Sequence, residues 1–279
     1  MATPSFTLVL GGGGVTGIAW ETGVIAGLAE EGVDLAAATF TLGTSAGSTV
    51  AAQVTSGVPI AELYERQLAG VPYEISKSLS GGGIVRFLVA QLLPGDQATA
   101  SKRVGTLALN AAVGPYAERR AVIESRLPRH SWPQADLRIV VVDALTGHER
   151  ILTRDDGVDL VDAVAASCAV PLVWPPVVIE GRAYVDGGVR SPVNLDLAPG
   201  EGPVIAFAPV ATAFRRSSRL GEQVRQLAPR RVVVIAMSDE ARKAQGRNSL
   251  DSSAVPAVAQ AGRRQGHLEA ARIRAALAD

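Results

Sequence analysis

A single cysteine, Cys168, stands in a chain of 279 residues. One thiol cannot close an internal disulfide, so the fold must rest on burial alone, and the composition suits a reducing compartment such as the cytoplasm. No excess of charge exists either, since 27 basic side chains balance 27 acidic ones. No overall field therefore draws the chain to nucleic acid, and any basic patch must be local. Long apolar runs are missing as well. None reaches the roughly 18 residues that a membrane span requires. The start has only Phe6 to Leu10 before a run of glycines and no basic region ahead of it, unlike a signal peptide or an anchor. Contact with a membrane surface stays open. Histidine is scarce: His130 and His148 fall in loop and turn sequences and His267 in a charged helical one, none of them at a strand end.

What is present is a chain that is 47% hydrophobic and 19% charged, too apolar for disorder. "FTLVL" before "GGGG" reads as a buried strand, and Ile18 to Glu31 has helical spacing. A second strand over Thr39 to Leu42 leads into a small-residue helix from Ala46 to Val54. Further strands are expected in "LRIVVVDA", "VVIEG" with "RAYVD" as a hairpin, "PVIAFAP" and "RVVVIAM". Helices are expected near 98–113, 117–127, 160–168, 216–227 and 254–277. This alternation predicts an α/β fold with a mostly parallel sheet covered by helices. Residues 70–95 interrupt the rhythm, pairing a flexible Gly81 to Gly83 hinge with a short apolar helix. The reading is one domain over 1–279 with a lid-like insertion around 70–95. The run "FRRSSRLGEQVRQLAPRR" is basic, a solvated helix face or a contact for phosphate head groups.

Two glycine-bearing turns carry the chemistry. Gly43-Thr44-Ser45-Ala46-Gly47 fits G-x-S-x-G, in which a strand turns sharply into a helix with serine at the apex. Small residues two positions either side let the chain fold back on itself, and the helix N-terminus favours developing negative charge. Ser45 is the candidate nucleophile. Gly12, Gly14 and Gly17 form G-x-G-x-x-G after the first strand. A dinucleotide reading would need an acidic residue at the end of the next strand; Asp34 precedes that strand instead, which weakens it. The alternative is an oxyanion loop of backbone amides. For a base, Asp186 in "YVDGGVRSP" sits at a strand end before Gly187 and Gly188. A partly desolvated carboxylate against a serine hydroxyl can act without histidine. A Ser-Asp-His arrangement with Asp186 orienting His267 is the rival enzyme reading.

The glycine loop, "GTSAGS" and "VDGG", in this order, resemble the patatin-like phospholipase family, especially its compact bacterial members. "LVLGGGGVTGIAWETGVIAGL", "VVDALTG" and "ASCAVPLVWPPVVIEGRAYVDGGVRSPVNLDLA" extend the resemblance over most of the chain. It implies a three-layer α/β/α patatin-like fold and a lipid acyl hydrolase with Ser45 as nucleophile and Asp186 as general base. Gly12, Gly13 and Gly14 then form the oxyanion loop closed by Gly17, Gly43 and Gly47 flank the elbow, and Gly187 and Gly188 follow the base. No cofactor or metal is expected, and the expected partner is a lipid or other acyl ester. Thr16 departs from the Arg or Lys usual before the loop's last glycine, so weakened turnover is expected. A degenerate, lipid-binding or regulatory protein is the alternative outside enzymology. Cys168 reads as a buried thiol, and Pro192 and Asn194 as shaping the loop behind Asp186. Oligomeric state is not indicated.

Overall fold

β-Branched and leucine-rich stretches pair into one sheet in the computed structural model, which describes residues 5–70 and 81–278. The strands are β1 (Thr7–Leu10), β2 (Phe40–Thr44), β3 (Asp136–Asp143), β4 (Glu149–Leu152), β5 (Val177–Ile179), β6 (Arg182–Asp186), β7 (Val204–Ala208) and β8 (Val232–Ala236). Their order is β5-β6-β3-β2-β1-β7-β8, with β4 also on β3. β3, β2, β1, β7 and β8 run parallel, whereas β4, β5 and β6 join antiparallel. The helices are α1 (Gly14–Glu30), α2 (Ala46–Val54), α3 (Ile60–Leu68), α4 (Gly81–Leu92), α5 (Gln97–Leu109), α6 (Tyr116–Arg126), α7 (Leu160–Ser167), α8 (Leu220–Gln226), α9 (Asp239–Gln245) and α10 (Val255–Leu277).

Successive residues of a strand point to opposite faces, and the buried strands fill two cores accordingly. Leu8, Leu10, Ile205 and Phe207 face a core shared with α1, α2, α7 and α10, while Val9, Val204 and Ala206 face a second with the 193–198 segment. A third cluster joins α4 and α5 to β3 and β6 through Ala90, Val104, Val142 and Val185. The expected helix-sheet-helix layering is therefore observed.

Helix α1 packs directly against α10. A Cβ at Gly23 would lie 2.2 Å from the Ala259 carbonyl oxygen, one at Gly27 2.1 Å from that of Arg263, and one at Gly266 2.3 Å from that of Val24. These backbones touch because glycines spaced by four residues face each other on both helices. Trp20 locks the pair from beside, donating from Nε1 to Gln265 Oε1 at 2.9 Å.

Several expectations change. Helix α1 begins at Gly14, inside the glycine loop rather than at Ile18, and Gly81 to Gly83 form the first turn of α4 instead of a hinge. The rest of the expected insertion, 71–80, lies outside the described residues. Extended backbone at Arg219 splits 216–227 into a short 3-10 turn and α8. β4, α3 and α9 were not anticipated; β4 forms because Gly147, at φ +77°, turns the chain after β3 back along it.

Candidate active site

β3 brings the two key residues together. Ile139 and Val140 pair with both β2 and β4, and Val141 and Val142 with both β4 and β6. A strand has two edges, so β2 and β6 share one of them, and β6 takes over where β2 stops. Val140 is partnered by Thr44 and the next residue, Val141, by Asp186. Ser45, one residue past Thr44, must then meet Asp186. Its Oγ donates to Asp186 Oδ2 at 2.7 Å.

Ser45 occupies φ 53°, ψ −119° at the head of α2. Left-handed φ is strained for a side-chain-bearing residue, by about 1–3 kcal/mol, and the surroundings hold it there. Its amide donates to Ser167 Oγ at 2.9 Å, and Ser167 Oγ donates in turn to the Val140 carbonyl at 2.7 Å. Ser48 Oγ and the Cys168 thiol both donate to the Ser45 carbonyl. Cys168 is buried, and burial pushes its thiol pKa up. Gly47 is needed for a close approach: a Cβ would lie 2.1 Å from the Leu10 carbonyl oxygen, and its amide donates to Gly11 O at 3.0 Å. That glycine therefore serves contact with β1 and the glycine loop, whereas Gly43 serves the fold-back on Gly47 and Ser48.

Asp186 is buried, and desolvation raises its carboxyl from the ordinary 3.8 to about 6, against the lowering effects of the Ser45 hydroxyl, the Gly188 amide and the Arg119 charge. The Gly188 amide donates to Oδ1 at 2.7 Å. Behind it, Asn194 Nδ2 donates to the carbonyls of Gly187 and Ser191 and to Thr44 Oγ1, tying the loop to β2. Pro192 offers its carbonyl to the Gly12 amide at 2.7 Å.

That last bond corrects the expected loop: Gly12 N–H is already engaged. Gly11 N–H is engaged too, by the Phe207 carbonyl and by Glu21 Oε1 at 2.9 Å. Glu21 is fully buried, and desolvation raises its carboxyl well above the usual range, against the lowering effect of the Gly11 amide. Among the described residues, the amides of Gly13 and Gly14 have no protein acceptor. Gly14, at φ +65°, begins α1, and Gly17 closes the turn by donating to Gly13 O at 2.9 Å.

Where the resemblance leads one to expect a cation, Thr16 is fully buried and donates both its amide and its Oγ1 to the Ser249 carbonyl at 3.2 Å. The chain at 248–250 thus lies over the loop. Positive charge arrives from α6. Arg119 and Arg126 line a small cavity beside Ser45 with Cys168, Trp174 and Leu250. The Arg119 guanidinium lies 4.3 Å over the Trp174 ring. The cavity measures about 20 Å³, room for about one water. A larger one of about 240 Å³ lies against the loop after Asp186, between Gly188, Val189 and Pro192 and the side chains of Phe87, Gln91 and Phe214.

The histidines are elsewhere. His267 pairs with Glu30 and Glu31 at 3.1 and 3.0 Å, and His130 lies by Glu124. Asp186 accepts from Ser45 and Gly188, not from His267, which removes the geometry a Ser-Asp-His reading needs. Asp34 caps a 3-10 turn ahead of β2, at the N-terminal ends of the parallel strands, whereas the glycine loop stands at their C-terminal ends, so it is out of reach of a nucleotide held there. Among the described residues, no group of three or more His, Cys, Asp or Glu could hold a metal ion, and no helix is long and apolar enough to cross a membrane. Ser167, Arg119 and Glu21 are the site neighbours that sequence reasoning missed. Only Ser167 had a signal, standing in "ASCAVP".

Comparison with known proteins gives a family and a set of distant folds. No curated protein matches the chain in sequence. Among solved structures, VipD from Legionella pneumophila aligns over 76% of this chain and 51% of its own, at 15% identity and a TM-score of 0.42. The type III effector protein ExoU aligns over 98% of this chain and 53% of its own, at 16% identity and a TM-score of 0.39. ExoU in its complex with SpcU from Pseudomonas aeruginosa gives 17% identity over 99% and 52%, with a TM-score of 0.41. The chain thus spans about half the length of these proteins. The model of the patatin-like phospholipases matches residues 8–199, more than half of the chain and the whole stretch from the glycine loop through Asn194, and the chain belongs to that family.

Proposed function

We propose that the protein is a serine acyl hydrolase that cleaves lipid or related acyl esters through a Ser45–Asp186 dyad. The observation that carries this reading is the 2.7 Å hydrogen bond from Ser45 Oγ to a buried carboxyl whose pKa stands near 6. At neutral pH that group is ionised yet basic enough to take the serine proton. As Ser45 Oγ attacks the acyl carbonyl, Asp186 receives its proton, and the Gly13 and Gly14 amides hold the oxyanion. The proton passes to the departing alcohol as the ester bond breaks. Water, deprotonated by Asp186, then attacks the acyl-enzyme and frees the acid and Ser45. The chemistry needs no cofactor. The roughly 240 Å³ cavity under α4 is the proposed place for the acyl chain.

The test is labelling with a fluorophosphonate. Wild type is expected to label stoichiometrically and Ser45→Ala not at all, with circular dichroism unchanged. No labelling of folded wild type would favour the degenerate, lipid-binding reading that Thr16 and the small cavity beside Ser45 motivate.

Arg119 supplies part of the field that the loop cation would otherwise give, because its charge stabilises ionised Asp186. Arg119→Gln is expected to move the acidic limb of the pH–rate profile upward from about 6, by on the order of half a unit. A limb that stays in place would show that Arg119 only packs against Trp174.

A further inference from the structure

Helix α4 turns its apolar side outward. Ile84, Val85, Val89, Leu92 and the following Leu93 are exposed, Val85 at 59% and Leu92 at 64%, while Ala90 and Gln91 face the protein. Phe214, also exposed, joins this surface through an edge contact with Phe87 at 6.4 Å. Scattered exposed apolar residues are ordinary; a contiguous stripe on one helix marks an interaction surface.

Its rim is basic. Arg215 donates to the carbonyls of Gly95 and Leu93, and Arg103 to those of Pro94 and Leu93, so two guanidiniums close the C-terminal end of α4. Arg86 on the helix and Arg216, Arg219 and Arg225 beyond it are exposed. Among the described residues, the carboxylates beside these arginines are Asp96, which caps α5, and Glu222, which pairs with Arg216 and Arg225, while Glu149 and Asp196 are taken up by Arg190. The six arginines outnumber the two carboxylates left among them.

We infer that α4 and the 214–219 segment form a docking surface for an anionic lipid bilayer, with the apolar stripe entering the acyl boundary and the arginines meeting phosphate head groups. Charge complementarity selects this occupant. A second copy in a twofold dimer would set the same arginines against each other, whereas an interfacial helix has both an apolar face and a cationic rim. Behind the stripe, Phe87 and Gln91 of α4 line the 240 Å³ cavity that runs against the loop after Asp186, and Phe214 belongs to both the cavity and the exposed surface. The inference concerns binding and stands whether or not Ser45 turns over.

Vesicle sedimentation tests it, using phosphatidylcholine alone and with about one-third phosphatidylglycerol. Wild type and Ser45→Ala are expected to partition to the anionic vesicles about tenfold more strongly than to the neutral ones. Val85→Asp with Leu92→Asp should lower binding at least about tenfold. Arg216→Gln with Arg219→Gln should reduce the preference for anionic lipid. Leu268→Asp, at a residue 84% exposed on α10, should bind as wild type. Absence of wild-type binding to either vesicle, or binding undiminished in the Val85/Leu92 variant, would overturn the inference. So would a concentration-dependent dimer that this variant abolishes, which would make the face a contact between copies. Circular dichroism and fluorophosphonate labelling separate these outcomes from misfolding and from failure of the catalytic reading.

Discussion

Asp186→Asn is expected to lower ester turnover by about three orders of magnitude while making the protein more stable. The loss follows from removing the carboxylate hydrogen-bonded to Ser45, and general-base assistance of this kind contributes about 10²–10⁴-fold. The gain follows from burial. The folded-state carboxyl is raised from the ordinary 3.8 to about 6, so the folded protein holds that proton more tightly than the unfolded chain does. The group's stabilising contribution is therefore greatest below the unfolded value and is lost as pH rises through the folded one. At neutral pH the ionised carboxylate costs up to about 3 kcal/mol relative to a group that does not titrate. Asparagine removes that dependence. Urea unfolding of both proteins at about pH 4 and about pH 7 should show the variant's advantage only at the higher pH. In parallel, wild-type turnover should rise through about pH 6 as Asp186 ionises. A variant less stable than wild type at neutral pH would mean that the carboxylate's bonds to Ser45 and Gly188 outweigh its desolvation.

Gly27→Ala is expected to destabilise the fold by about 3 kcal/mol, a large effect for one methyl group. The new Cβ would lie 2.1 Å from the Arg263 carbonyl oxygen and 3.2 Å from Gly266 Cα, and backbone cannot rotate aside as a side chain can. Helix α10 must move off α1. Gly221→Ala in α8 is the control, since its Cβ meets nothing within 4 Å and alanine is the better helix former. It should leave stability unchanged or slightly raised in the same thermal and urea unfolding. Equal stability for Gly27→Ala and wild type would show that the two helices can separate at little cost.

The strands were legible because buried parallel strands are written as apolar runs, such as "RIVVVD" and "VIAFA", and the elbow because a strand followed by G-x-S-x-G has few other uses. The contact between α1 and α10 was not. Gly23, Gly27, Gly262 and Gly266 lie 235 or more residues apart across the two helices, and a glycine inside a helix reads locally as a weak point. Nor could spacing reveal that β2 and β6 share one edge of β3, the arrangement that brings Ser45 to Asp186 from 141 residues away. Strand order is a tertiary choice. Residues 216–227 misled in the opposite direction, their charges having helical spacing while Arg219 adopts extended backbone. Gly12 shows a subtler limit: its place in the motif was plain, but only the fold reveals that the Pro192 carbonyl has already taken its amide.

The bond between Thr16 and Ser249 has a consequence for how this sequence can vary. The family match ends at residue 199, yet the carbonyl lying over the glycine loop belongs to residue 249, and α10 holds α1 from behind. The loop that faces Ser45 is thus braced by the part of the chain outside the shared region. Thr16 Oγ1 ends on that carbonyl, so a longer side chain at position 16 has to displace the main chain at 249 or turn away from it. Because the acceptor is a main-chain carbonyl, position 16 depends on the path of the backbone at 249 rather than on the side chain there, a dependence that reaches across 233 residues of sequence.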